Sequence, residues 1–390
     1  MSRPGSRSVV VVAGAALGAA ACQPTTPASL GACAQLDAIA AVSDYMSSQV
    51  GGIDADGGKS FPPRGTIDLG ADPALSFSRG RAFFVARDLG LIYEVDPRCG
   101  RPNPTAFNAN VLTPAGSGSS NPQDVAVAPD GSLWIPLYDI PQLLILPPSG
   151  PARSIDLSSY DTDGNPQAAA ILIVDGLGSP PASKAFVTLE LLNDDDMLLP
   201  YPDRHGALLR IDVATSKVEA EIELAGQNPL GLMNEVNGLV YLAEAGNTME
   251  SSVPLAGIES FDEATSTSRL LVTAERLGGW PSEVAVTAGC GAAIVAQPGL
   301  PNATSLVTFD PATGAVLTSA STSVLRTTGF FLQGLDWVGD TLLVGEGDPT
   351  QPEAAFVHEL TRGDAGACDL VELPTRVHVP LKPIALRTAP

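Results

Sequence analysis

Residues Asn121–Asp139 read NPQDVAVAPDGSLWIPLYD. A proline opens the segment, an alternating apolar strand follows, Pro129-Asp130-Gly131 make a turn, and a second apolar strand ends on a polar residue. The same unit returns as NPLGLMNEVNGLVYLAEAG from Asn228 and WPSEVAVTAGCGAAIVAQPG from Trp280. DPALSFSRGRAFFVARDLG from Asp72 and the stretch from Asn165, NPQAAAILIVDG followed by KAFVTLELLN, fit more loosely. FFLQGLDWVGDTLLVGEGD from Phe330 keeps the unit without its proline, and Pro383 opens a last copy.

Each unit has a second half, in which a third strand ends in an acidic turn and a fourth strand follows. LVTFDPATGAVLTSA (306–320), LLRIDVATSKVEAEIEL (208–224), IESFDEATSTSRLLVTA (258–274) and IYEVDPRCGRP (92–102) are the copies. From Pro73 to Pro383 six intervals average about 52 residues. Four strands at that period are the content of one blade of a β-propeller, and no long stretch has helical periodicity, so the fold class is all-β. The DPATG punctuation at 310–314 resembles the propellers of the surface-layer and NHL-like superfamily (YVTN-type). That resemblance extends over nearly all of the chain after the N-terminal segment and implies a fold; enzymes, binding modules and scaffolds share it.

The last unit, LKPIALRTAP (381–390), supplies one strand and the chain ends. LDAIAAVSDYMSSQVGGIDADGG (36–58) supplies the second strand, third strand and acidic turn, with no opening strand. Together they form one composite blade that joins the two ends of the chain. The expected architecture is a seven-bladed β-propeller, with six blades the alternative if either fragment is a flap. In this frame Asp54 of IDADGG takes the slot of Asp310, Asp212 and Asp96 and marks a turn, and DTDGN (161–165) is a connecting loop rather than a calcium site.

The N-terminus has Arg3 and Arg7, an apolar run from Val9 to Leu17, and three alanines before Cys22. This is the pattern of an export signal over residues 1–21. Cys22 resembles the lipidated cysteine of bacterial lipoproteins, although Ala19 stands where leucine is usual. The resemblance implies diacylation of Cys22, a tether over 22–32, a single propeller domain over 33–390, and a place at the cell envelope, outer membrane or surface. Plain secretion or a periplasmic location is the alternative. Four cysteines remain, and disulfides suit an exported chain. Turns between first and second strands and between third and fourth strands share one face of the disc, which favours Cys33–Cys99 and Cys290–Cys368 over Cys33–Cys368 with Cys99–Cys290.

Forty-three acidic against 21 basic residues give a formal charge of −22, which repels nucleic acid and anionic membranes. The three histidines, His205, His358 and His378, belong to no H-E-x-x-H arrangement, and no G-x-S-x-G elbow or phosphate loop is present, so no nucleotide cofactor is expected. Aligning the second-strand ends places Asp44, Arg87, Tyr138, Glu190, Glu244, Gln297 and Glu346 at equivalent positions around one mouth of the channel. Its carboxylates could hold a divalent cation or raise one another's pKa values. The same face should carry the insertions 192–206 and 246–257, with Tyr201, Met197, Leu198 and His205 as recognition residues and Asp194 to Asp196 as a solvated run. The reading is a monomeric, non-catalytic binding or scaffold protein with no cofactor, whose partner is an envelope protein or a small ligand at the propeller face. The alternative is a metal-dependent propeller hydrolase of lactonase or esterase type, with no catalytic residue assigned beyond that ring. A calcium-dependent adhesin is a third reading.

Overall fold

The computed structural model describes residues 33, 35–54, 57–114, 116, 118–178, 181–193, 201–248, 254–297, 303–363 and 368–388. The export signal, Cys22, the tether and Asp194 to Leu198 lie outside the described residues.

Seven four-stranded antiparallel sheets follow one another along the chain. Blade 1 is composite: from the inside outward its strands are Lys382–Thr388, Ala38–Ser43, Ser48–Ile53 and Lys59–Ser60. Its closing pairs run from Ala38↔Thr388 to Ser43↔Lys382, so the C-terminal strand is the innermost one and the N-terminal segment completes the sheet. Blades 2 to 7 begin on the inner strands Pro73–Ser78, Ala126–Val127, Ala168–Leu177, Pro229–Val236, Trp280–Thr287 and Leu332–Val338. Neighbouring inner strands contact one another from blade 1 round to blade 7 and back. The molecule is therefore a closed seven-bladed β-propeller, not a six-bladed one, and the inner edge of each sheet is covered by its neighbours in the ring.

Apolar side chains hold the ring through its seams. Each of the seven hydrophobic clusters takes residues from two adjacent blades. A second strand faces both ways: Phe84 and Ala86 pack toward blade 1, whereas Phe83 and Val85 pack toward blade 3. With a side-chain period of two and both faces buried, such a strand reads as a continuous apolar run, as in RAFFVA (Arg81–Ala86).

The acidic turns have a physical cause. Asp310 Oδ1 accepts the N–H groups of Ala312 and Thr313, and Asp262 Oδ1 those of Ala264 and Thr265. The backbone at Asp54 closes the same way: its N–H donates to Gly58 O, and its carbonyl accepts from Gly57. Asp161 of DTDGN belongs to the loop between blades 3 and 4, where it pairs with Arg204 at 2.8 Å.

Cys290 and Cys368 form a disulfide that spans the seam between blades 6 and 7, and Cys33 and Cys99 are each disulfide-bonded. Two disulfides suit an oxidising compartment outside the cytoplasm. Among the described residues no helix is long and apolar enough to cross a membrane.

Candidate functional site

The inner strands enter the disc from the face that carries the loops between second and third strands. There they enclose a cavity of about 270 Å³ whose wall includes Arg87, Gln123, Glu190, Phe330, Gln333 and Arg387. A second cavity of about 170 Å³ lies along the same strands and shares Leu232, Glu283 and Arg387 with the first. The two make up the central channel.

Part of the aligned ring gathers at this mouth. Tyr138 donates to Glu190 Oε2 at 2.7 Å. Arg87 lines the cavity beside Glu190, donating to Gln123 Oε1 at 3.0 Å and pairing with Asp72. Glu190 is 5% exposed, and burial lifts its pKa to about 7 against the Tyr138 hydrogen bond and the Arg87 charge. Glu244 has no exposed surface and neither carboxyl oxygen has a hydrogen-bond partner. Burial first, then the charges of Glu259 and Glu190, raise its pKa well above the ordinary value.

The rest of the ring serves other ends. Asp44 Oδ1 accepts the N–H groups of Met46 and Ser47 within its own turn. Glu346 accepts from His358 Nε2 at 2.6 Å, and this hydrogen bond holds Glu346 below the usual glutamate pKa. The other ring nitrogen of buried His358 lies 2.8 Å from Glu372. Gln297 is tied through its backbone N–H to Ala303.

Strand register separates Glu190 from Glu346. Glu244 pairs directly with Pro229 and Glu346 with Leu332, but in blade 4 it is Leu189, one residue before Glu190, that pairs with Ala168. A shift of one residue turns a side chain to the other face of a sheet. Among the described residues no three carboxylate or imidazole groups present ligand atoms within 4.8 Å of one another. As placed, the ring does not fit a divalent cation, which takes six or more oxygen ligands when it is calcium or magnesium.

The inner strands carry polar residues that the alignment of second-strand ends does not include. Asp124 Oδ1 accepts from Ser76 Oγ of blade 2 at 2.6 Å, and Oδ2 from the Ile171 N–H of blade 4 at 2.9 Å. Glu283 accepts the Gly334 N–H of blade 7 at 2.8 Å, and Asp336 the Thr388 N–H of blade 1 at 2.8 Å. These acids stitch successive inner strands together. Burial raises all three, Glu283 to about 7, and the charge of Arg387 opposes the rise in each. Asp124 and Glu283 both stand two residues after an opening proline, and that spacing was the available signal.

Lys382 is 2% exposed beside this mouth. It donates to Phe330 O at 2.9 Å and lies 5.8 Å and 5.5 Å from the ring centroids of Tyr45 and Phe330, and burial lowers its pKa to about 8. Tyr45, at φ 60, donates to Gln333 Oε1 at 3.3 Å and so overhangs the cavity wall. In the 192–206 insertion, Leu192–Asn193 pairs with Tyr201–Pro202, and His205 Nδ1 lies 3.0 Å from Leu224 O.

No family model matches the chain, and no curated protein matches it in sequence. Solved structures do. Dihydro-heme d1 dehydrogenase NirN in complex with DHE is 14% identical, with 91% of this chain and 75% of that one covered and a TM-score of 0.52. A streptogramin B lyase structure is 11% identical over 81% of this chain and 90% of that one, at 0.48. The gluconolactonase XC5397 from Xanthomonas campestris is 13% identical over 71% and 82%, at 0.42. The likeness is one of fold. A shared fold at this identity leaves function to the site.

Proposed function

We propose that this is a non-catalytic binding protein whose ligand, a small molecule, seats in the central cavity at the face carrying the loops between second and third strands. The observation that carries the reading is the cavity wall itself. It sets Arg87, Gln123, Glu190, Ser282 and Gln333 against the apolar surfaces of Leu230, Phe330 and Ile384. A few placed polar groups on an apolar wall are what small-ligand sites have, and about 270 Å³ is close to the lower end of their size. Of the carboxyls that a hydrolase would use, Glu346 is taken up by His358, Asp44 by its turn and Glu190 by Tyr138, while Glu244 is fully buried.

Export and anchoring belong to the same reading. The basic, apolar and small-residue succession before Cys22 supports a lipid on that cysteine, with the propeller held at the envelope by the 22–32 tether. Palmitate labelling of the wild type that disappears in Cys22→Ala is the expected result, and unchanged labelling contradicts it.

A ligand-observed NMR screen of residues 33–390 against small metabolites tests the binding reading. Hits that lose binding when Leu232→Trp fills the channel support it. Hits indifferent to that substitution place the site elsewhere. Elemental analysis of the same sample addresses the metal-dependent alternative, because a stoichiometric divalent ion would favour a hydrolase.

A further inference from the structure

Glu244 ends the second strand of blade 5, Leu239–Glu244, at the rim of the seam with blade 4. Phe186, Leu208, Leu224, Val240, Leu242 and Phe261 fill that seam, with the Phe186 and Phe261 rings 5.2 Å apart. The carboxyl of Glu244 is fully buried and neither oxygen meets a donor. Gly226 packs so closely that a Cβ there would lie 2.4 Å from Glu244 Cγ.

Among the described residues, the ionisable groups that act on Glu244 are both acids. Glu190 directly follows the second strand of blade 4, Ala182–Leu189, and Glu259 lies in the third strand of blade 5, Gly257–Asp262. Burial raises the pKa of Glu259, but its two oxygens accept the N–H groups of Ala225 and Gly226, each at 2.8 Å, and these bonds together with nearby His205 oppose the rise. Glu190 has the Tyr138 hydroxyl and the Arg87 charge. Glu244 has no such support. A buried carboxylate without a donor, beside two more carboxyls, is unfavourable, and a proton is the simplest way to remove its charge.

We propose that Glu244 is a proton-dependent latch in the seam between blades 4 and 5: holding a proton it keeps that seam closed, and on losing it the seam opens locally. The bonds at stake lie around Gly226, whose N–H is held by Glu259 and whose carbonyl accepts from Gly206 at 3.0 Å. Because Glu190 lines the cavity, opening would reshape its wall. The latch is defined without a ligand, so its test stands apart from the binding reading.

The test is native-state hydrogen exchange of ligand-free residues 33–390 from pH 5 to pH 8, corrected for intrinsic exchange, in wild type and Glu244→Gln. If one proton is released on opening, the opening constant rises about tenfold per pH unit above the ordinary glutamate pKa of ~4.3. Amides of Ala225, Gly226 and Ala245 should lose protection with that slope in wild type. In Glu244→Gln the slope should be smaller by about one decade per pH unit, with amides of blades 2 and 7 alike in the two proteins. Equal slopes in both proteins, or a difference spread over all blades, would overturn the proposal. Infrared difference spectra give a second readout for the case in which the variant folds poorly. A protonated-carboxyl band in wild type at pH 7 that shrinks in Glu244→Gln but not in Glu259→Gln, the remainder coming from acids such as Glu190 and Glu283, supports the latch; equal loss in both variants, or no loss in Glu244→Gln, refutes it.

Discussion

Glu190→Gln isolates the energetic consequence of burying an acid at the cavity wall. Glu190 titrates near 4.5 in the unfolded chain and at about 7 when folded, with burial as the main cause. Between those values the unfolded chain binds fewer protons than the folded one, so stability falls as pH rises and levels off above about 7. At ~1.36 kcal/mol per unit, integration from pH 5 to pH 8 gives a loss of about 2.5 kcal/mol from this one residue. The amide of glutamine keeps an acceptor for the Tyr138 hydroxyl and does not titrate. Urea unfolding followed by fluorescence of the three tryptophans should therefore show a loss between pH 5 and pH 8 smaller in the variant by about that amount, with the m-value unchanged. Equal losses in variant and wild type would refute the claim that Glu190 is held protonated by burial.

Three further outcomes follow from the fold. Cys290→Ala with Cys368→Ala opens a loop of 78 residues, worth about 4.5 kcal/mol in the chain-entropy treatment, and should lower Tm by roughly 6 °C in calorimetry. Gly291→Ala drives a methyl to 2.2 Å from Cζ of the buried Phe309 ring and should cost about 1–3 kcal/mol in chemical denaturation. Asp336→Ala leaves the Thr388 and Trp337 N–H groups without their acceptor where the ring closes, and should lower stability by about 2 kcal/mol.

The parts of the molecule that were legible in the sequence are those governed locally. Four strands per unit and the Asp310-type turns depend on neighbours a few residues away, the division of blade 1 between the two ends of the chain follows from counting those units, and all are present. The aligned ring was not legible in the same way, because it depends on pairing register. Inner strands are irregular between Ala168 and Ile171, Leu230 and Asn234, Pro281 and Glu283, and Leu332 and Leu335, whereas Pro73–Ser78 pairs without a shift. Bulges of this kind change which side chain meets the channel, so equal spacing from the strand end put Glu190 and Glu346 in one set although only Glu190 lines the cavity. The inner-strand acids were overlooked because their partners, about 50 residues away in the next blade, are fixed only once the ring has closed.

A crystal structure of residues 33–390 with the strongest ligand from the NMR screen tests the central claim most directly. The account predicts density for the ligand between Arg87, Phe330 and Gln333, in contact with Glu190 or Arg387. A ligand seated on the outer strands or the opposite face, with the cavity unchanged, would contradict it.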